Sequence, residues 1–138
     1  MNWDNYENFS EKEFTCSCGC GETKMDEDFM ERLQELRTRA GFGFRITSGY
    51  RCSNHPNERA RAERGEIGPH TTGRAADIAV SYGNAYTLLM HIMRQGGWTG
   101  VGVAQKGDGR FLHIDTLTDA DERNDDGLCF PRPNLWSY

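Results

Sequence analysis

The sequence predicts a single α+β domain, a small antiparallel sheet with flanking helices. Three observations carry this. Two stretches place apolar residues at helical spacing: Phe29, Leu33, Leu36 and Ala40 in one, Tyr86, Leu89, Met90 and Met93 in the other. Four shorter stretches, around Phe44 and Ile46, from Ala75 to Val80, from Trp98 to Val103 and from Arg110 to Asp115, are apolar or alternate in polarity as strands do. Finally, 138 residues suit one core, because two independent cores are hard to build at that length. Aromatic residues make up 11% of the chain, more than disordered chains usually hold, so a packed core is expected.

Taken in order, residues 1–24 are polar and turn-rich, and Ser10 with Glu13 suits a capping box for a short helical turn. Asp26, Glu27 and Asp28 open the first long helix, where the macrodipole favours acidic groups. That helix runs from Asp26 to Ala40, and Gly41 ends it. A strand through Phe44 and Ile46 leads into Ser48-Gly49-Tyr50-Arg51. Residues 53–69 are polar and read as a long loop with room for one helical turn. The strand Ala75 to Val80 precedes a second helix from Asn84 to Gln95, which Gly96-Gly97 breaks. Two further strands follow, joined by a turn at Lys106-Gly107-Asp108-Gly109. The tail from Thr118 is acidic at first, and Pro131 and Pro133 oppose regular structure ahead of Leu135. It is expected to pack on the domain.

Several classes are disfavoured. The longest apolar runs are a few residues, far short of the ~20 that a membrane helix needs. Met1-Asn2-Trp3-Asp4 lacks the basic and apolar regions of a signal peptide, so synthesis in the cytoplasm is expected. The net charge of −5 opposes a nucleic-acid backbone binder. The five cysteines cannot all pair within one chain, and reduced thiols are the default. Cys16, Cys18 and Cys20 crowd into Phe14-Thr15-Cys16-Ser17-Cys18-Gly19-Cys20-Gly21, while Cys52 and Cys129 stand apart. The run suits a soft metal with Cys52 or Cys129 as fourth ligand, although its spacing departs from the Cys-x2-Cys knuckle. The preferred reading of the run is a tight Gly-rich turn with buried or partly oxidised thiols.

Three polar residues stand in apolar or tightly turned surroundings. His70 sits between Pro69 and Gly73 in a shaped turn. Asp77 lies among Ala75, Ala76, Ile78 and Ala79, where a buried carboxylate needs a cation or hydrogen bonds. His113 lies in Phe111-Leu112-His113-Ile114-Asp115, on the same strand face as Asp115. Two imidazoles and one carboxylate suit a tetrahedral catalytic zinc with one position open to water. Hydrogen-bonded core residues are the bland reading of the same pattern, and for His55 and His91 that reading is preferred. His113-x-Asp115 also mimics half of an iron facial triad, but no further histidine follows it.

In this order and at these distances, Ser48-Gly49-Tyr50-Arg51, His70-x2-Gly73-x-Ala75-x-Asp77 and His113-x-Asp115 resemble the zinc D-Ala-D-Ala carboxypeptidases. That group includes bacterial cell-wall peptidases, phage endolysins of the L-alanyl-D-glutamate type, D-Ala-D-Ala dipeptidases and the hedgehog signalling fold. The Phe-x-Cys-x-Cys-Gly-Cys opening, the strand Gly100-Val101-Gly102-Val103 and the ending Trp136-Ser137-Tyr138 are similar to its short phage and prophage members.

The resemblance implies that His70, Asp77 and His113 bind Zn²⁺, and that Arg51 engages a substrate carboxylate or the developing oxyanion, with Ser48 and Tyr50 shaping that corner. A planar cationic donor suits that task. Many family members place a Glu or Asp three residues before the last zinc histidine, where this chain has Arg110. Asp115 is therefore the first choice of general base and Asp108 the second, while Asp115 equally suits orienting a zinc histidine. The implied activity is hydrolysis of D-Ala–D-Ala, L-Ala–D-Glu or a cross-bridge in peptidoglycan stem peptides. The implied partners are those peptides, with no nucleic acid and no membrane. A monomer reaching the wall after release or by phage delivery is expected. The alternative is a non-catalytic zinc-containing wall-binding or structural module of the same fold.

Overall fold

A computed structural model describes residues 1–118 and 131–138. Two long helices flank the sheet, α2 (Glu27–Ala40) and α4 (Tyr82–Gln95), and two single-turn helices, α1 (Glu11–Phe14) and α3 (Arg59–Ala62), sit in the connections. The strands are β1 (Arg45–Ser48), β2 (Ala75–Ala79), β3 (Gly100–Ala104), β4 (Phe111–Asp115) and β5 (Asn134–Ser137).

Local chemistry accounts for the helix ends. Asp26 accepts from the Phe29 amide at 2.9 Å, satisfying one of the four orphan donors of the first turn of α2. At the other end Gly41 adopts φ 75°, and its amide returns to the Arg37 carbonyl. Glu13 accepts from the Ser10 amide and hydroxyl, as the capping-box reading expected. The helix α4 starts at Tyr82, earlier than the expected Asn84, with Ser81 as its N-cap residue.

The sheet order is β1-β2-β4-β3-β5. The first three pairings are antiparallel, but β5 runs parallel to β3, so the sheet is mixed where a wholly antiparallel one was expected. The reason lies in the tail. Pro131 and Pro133 stand ahead of β5, and the Asn134 amide then donates to the Thr99 carbonyl at 2.8 Å and opens a fifth strand.

Strand alternation divides the sheet into two faces. Ala76, Ile78, Val101, Leu112 and Ile114 join Phe29, Met30, Leu33 and Leu36 of α2 and Ala85, Leu88 and Ile92 of α4 in one apolar cluster. Residues one step out of phase occupy the other face. There Asp77 pairs with His113, and Gly102 lies opposite His113 on its far side. The N-terminal segment packs its aromatic rings on the same core: Phe14 touches Trp3 and Phe9 at 5.6 Å between centroids. No helix among the described residues is long and apolar enough to cross a membrane.

Candidate metal centre

The polar face of the sheet carries three ligand groups to one point. Asp77 in β2 and His113 in β4 are direct cross-strand partners. The Pro69–Thr72 turn, closed by Gly73 at φ 74°, brings His70 alongside. A Cβ at Gly73 would meet the Lys24 carbonyl, so both room and φ demand glycine there. Asp77 Oδ1 lies 2.8 Å from His113 Nδ1 and 3.4 Å from His70 Nε2. All three residues are buried.

The outer hydrogen bonds decide which nitrogens can ligate. His70 Nδ1 is 2.7 Å from the Gly49 carbonyl, which can only accept, so Nδ1 carries the proton and Nε2 offers its lone pair. His113 Nε2 is 2.9 Å from Asp115 Oδ2, so Nε2 donates and Nδ1 faces Asp77. Burial disfavours the charged form of His113, but Asp115 and Asp77 outweigh it and raise the imidazole pKa. Burial likewise opposes ionised Asp77, but His113 and His70 hold its carboxyl well below the usual carboxylate range. The spot between these side chains therefore favours a cation. Two imidazole nitrogens and one carboxylate oxygen, each oriented from behind, fit a catalytic divalent metal.

The three groups open into a cavity of about 460 Å³. Arg51 lines it, donating through Nε to Ser48 Oγ at 2.8 Å, through Nη2 to Asp77 Oδ2 at 3.0 Å and through Nη1 to Glu58 Oε1 at 3.4 Å. Three of its five N–H donors are spent there, leaving two for other acceptors. Tyr50 points elsewhere. It is buried in the core, with the Lys24 ammonium 5.8 Å from its ring centroid.

The two expected base candidates lie off the cavity wall. Asp108 sits in the β3–β4 turn and lines a separate depression with Arg45, Ser81 and Arg110. Asp115 is fully buried, and Arg132 grips both its oxygens, Nε to Oδ1 at 3.0 Å and Nη2 to Oδ2 at 2.8 Å. Its Oδ2 also accepts from His113 Nε2 at 2.9 Å. Gly100 makes the arrangement possible, because a Cβ there would fall 2.2 Å from Asp115 Oδ2.

Sequence reasoning missed several wall residues. Glu58 is only 5% exposed, and its Oε2 has no hydrogen-bond partner among the described residues. It packs against Gly68, where a Cβ would be 2.1 Å from Oε2. From β5 and its flanks come Arg132, Trp136 and Tyr138, with the Trp136 ring 5.2 Å from His113. The Gly-Val-Gly-Val alternation of β3 was the available signal: a Cβ at Gly102 would sit 2.7 Å from the Trp136 indole nitrogen, so glycine there marks a covering ring.

The histidines read as structural behave so. His55 Nδ1 accepts from the Asn57 amide at 3.1 Å, so Nε2 is left to donate to Ser17 Oγ at 3.0 Å. Burial, with the Arg51 charge nearby, lowers its pKa. His91 lies in α4, away from the cavity. Cys129 lies outside the described residues.

A family model described as Peptidase M15 matches residues 7–115, which span every ligand and Arg51. Neither the curated proteins nor the solved structures returned a significant match.

Proposed function

The chain belongs to the peptidase M15 family, and from that premise we propose that it is a zinc-dependent hydrolase of peptide bonds in peptidoglycan stem peptides. One observation carries the reading: His70 Nε2, His113 Nδ1 and Asp77 Oδ1 converge on one cavity beside the half-engaged guanidinium of Arg51. These three residues would hold the metal. When bound, it supplies Lewis acidity for the scissile carbonyl and the attacking water.

The remaining work falls to the chain's own groups. Arg51 is held by Ser48, Asp77 and Glu58, so its two remaining donors can receive a substrate carboxylate or the oxyanion without reorganising. Glu58, which lines the cavity beside Arg51, takes the proton from the attacking water and returns it to the leaving amine. What supports Glu58 over Asp115 is placement. Glu58 lines the cavity beside Arg51, whereas Asp115 does not line it and is enclosed by His113 and Arg132. Asp115 orients His113 instead. Although the chain is acidic overall, Arg51, Arg61 and Arg132 line the cavity, which suits peptides rich in free carboxylates. The resemblance to short phage members supports a lytic role after release.

The test is mass analysis of mixed muropeptides incubated with zinc-loaded protein, with His113→Ala as control. Cleavage by wild type alone is expected, and the product masses name the bond. Zinc binding with no stem-peptide bond cut would overturn hydrolysis in favour of a wall-binding module.

A further inference from the structure

We propose that Cys16, Cys18, Cys20 and Cys52 form a second, structural Zn²⁺ site that pins the N-terminal segment to the loop carrying Arg51. The four sulfurs come from two segments far apart in sequence and gather within 4.8 Å of one another. Cys16 Sγ lies 3.4 Å from Cys18 Sγ and 3.7 Å from Cys52 Sγ, and Cys18 Sγ lies 3.5 Å from Cys52 Sγ. A tetrahedral centre with metal–sulfur bonds of about 2.3 Å has sulfur–sulfur edges of about 3.8 Å. The observed spacings approach those edges and are far too long for disulfide bonds of about 2.05 Å.

The backbone is shaped for this convergence. In an extended Cys-x-Cys-x-Cys run the three side chains would share one face but stay some 6–7 Å apart. Here the run is a turn, with Gly19 at φ 92° and Gly21 at φ 74°. A Cβ on either would meet nothing within 4 Å, so the left-handed conformation, and not crowding, calls for glycine. Backbone donors also face the sulfurs. The Cys52 amide donates to Cys16 Sγ at 3.4 Å, and the Glu22 amide to Cys20 Sγ at 3.4 Å. Such donors offset the negative charge that four thiolates bring to one centre. Four sulfur ligands in tetrahedral array select zinc or iron among the common metals, and a closed set of four leaves no position for substrate.

The site lies next to the cavity without opening into it. Cys52 directly follows Arg51, and His55 in the same loop donates to Ser17 inside the cysteine run. The Tyr50 amide donates to the Phe14 carbonyl just ahead of that run. A metal there would therefore hold the loop that presents Arg51 and Glu58.

Cobalt loading of the reduced full chain tests this. Wild type should take up one equivalent at each of the two clusters and show a near-ultraviolet thiolate-to-cobalt charge-transfer band. His113→Ala should lose one equivalent and keep the band at full intensity. The double variant Cys18→Ser/Cys20→Ser changes exposed residues outside the core, so it should fold, lose the band and keep the other equivalent. Wild type loaded at the histidine cluster with no charge-transfer band would overturn the proposal, whether or not any variant folds. So would disulfides among these cysteines in the purified protein, or iron in place of zinc. None of these readouts depends on peptide cleavage.

Discussion

The two faces of the central sheet are built from the same strands, one residue out of phase. On one face Ala76, Ile78, Leu112 and Ile114 pack against α2 and α4 with almost no solvent contact. On the other, Asp77, His113 and Asp115 are also buried, yet each is polar. The first face is held by the area it removes from water, which is non-directional. The second is held by direction: His113 sits between Asp77 and Asp115, and Arg132 closes the chain. Burial alone therefore does not separate core from site. What separates them is whether the buried groups are polar and need directed partners, which Asp77, His113 and Asp115 find in one another and in Arg132.

The comparison predicts that the two faces fail differently. The largest effect should come from His113→Ala, which removes a ligand nitrogen. Cleavage should fall to background, while the thermal midpoint measured by calorimetry changes far less than activity. Glu58→Gln comes next, with kcat down ~10²–10⁴-fold if Glu58 is the general base. Metal content should be unchanged, and steady-state kinetics with metal analysis reads both. If kcat moves by less than tenfold, the base lies elsewhere.

On the apolar face, Ile114→Ala should cost about 2–5 kcal/mol in urea unfolding while the folded fraction keeps its kcat. A fall in kcat of the folded fraction would show that the faces are coupled through the strand. Gly100→Ala is smaller and sharper, because its Cβ intrudes on Asp115 Oδ2 rather than on the metal ligands. Disturbing such an orienting partner should cost ~10–100-fold in metal affinity or activity. The gentlest perturbation is pH. Both carboxylates favour the His113 imidazolium, so protons compete with the metal at Nδ1. Metal affinity measured by calorimetry should fall as pH drops through the raised imidazole pKa and recover above it.

Legibility followed the range of the forces involved. The ends of α2 were readable because Asp26 and Gly41 act within one turn of the chain. His70, Asp77 and His113 stood out because each interrupts an apolar or glycine-shaped stretch. Glu58 did not, because it lies in a polar segment with Arg59, Arg61, Glu63 and Arg64, and nothing local distinguishes one charge from another. The strand β5 was missed for a related reason: its parallel pairing with β3 joins residues that are distant in sequence.

By itself the sequence determined the α+β class, both ends of α2 and the shared strand face of His113 and Asp115, because caps and two-residue alternation act locally. Tertiary structure alone decided which polar groups meet. It set Cys52 beside the cysteine run, gave Asp115 to Arg132, and brought Glu58 and Trp136 to the cavity wall. Strand register and loop closure settle those meetings, and both depend on how the whole chain packs rather than on any short stretch of it.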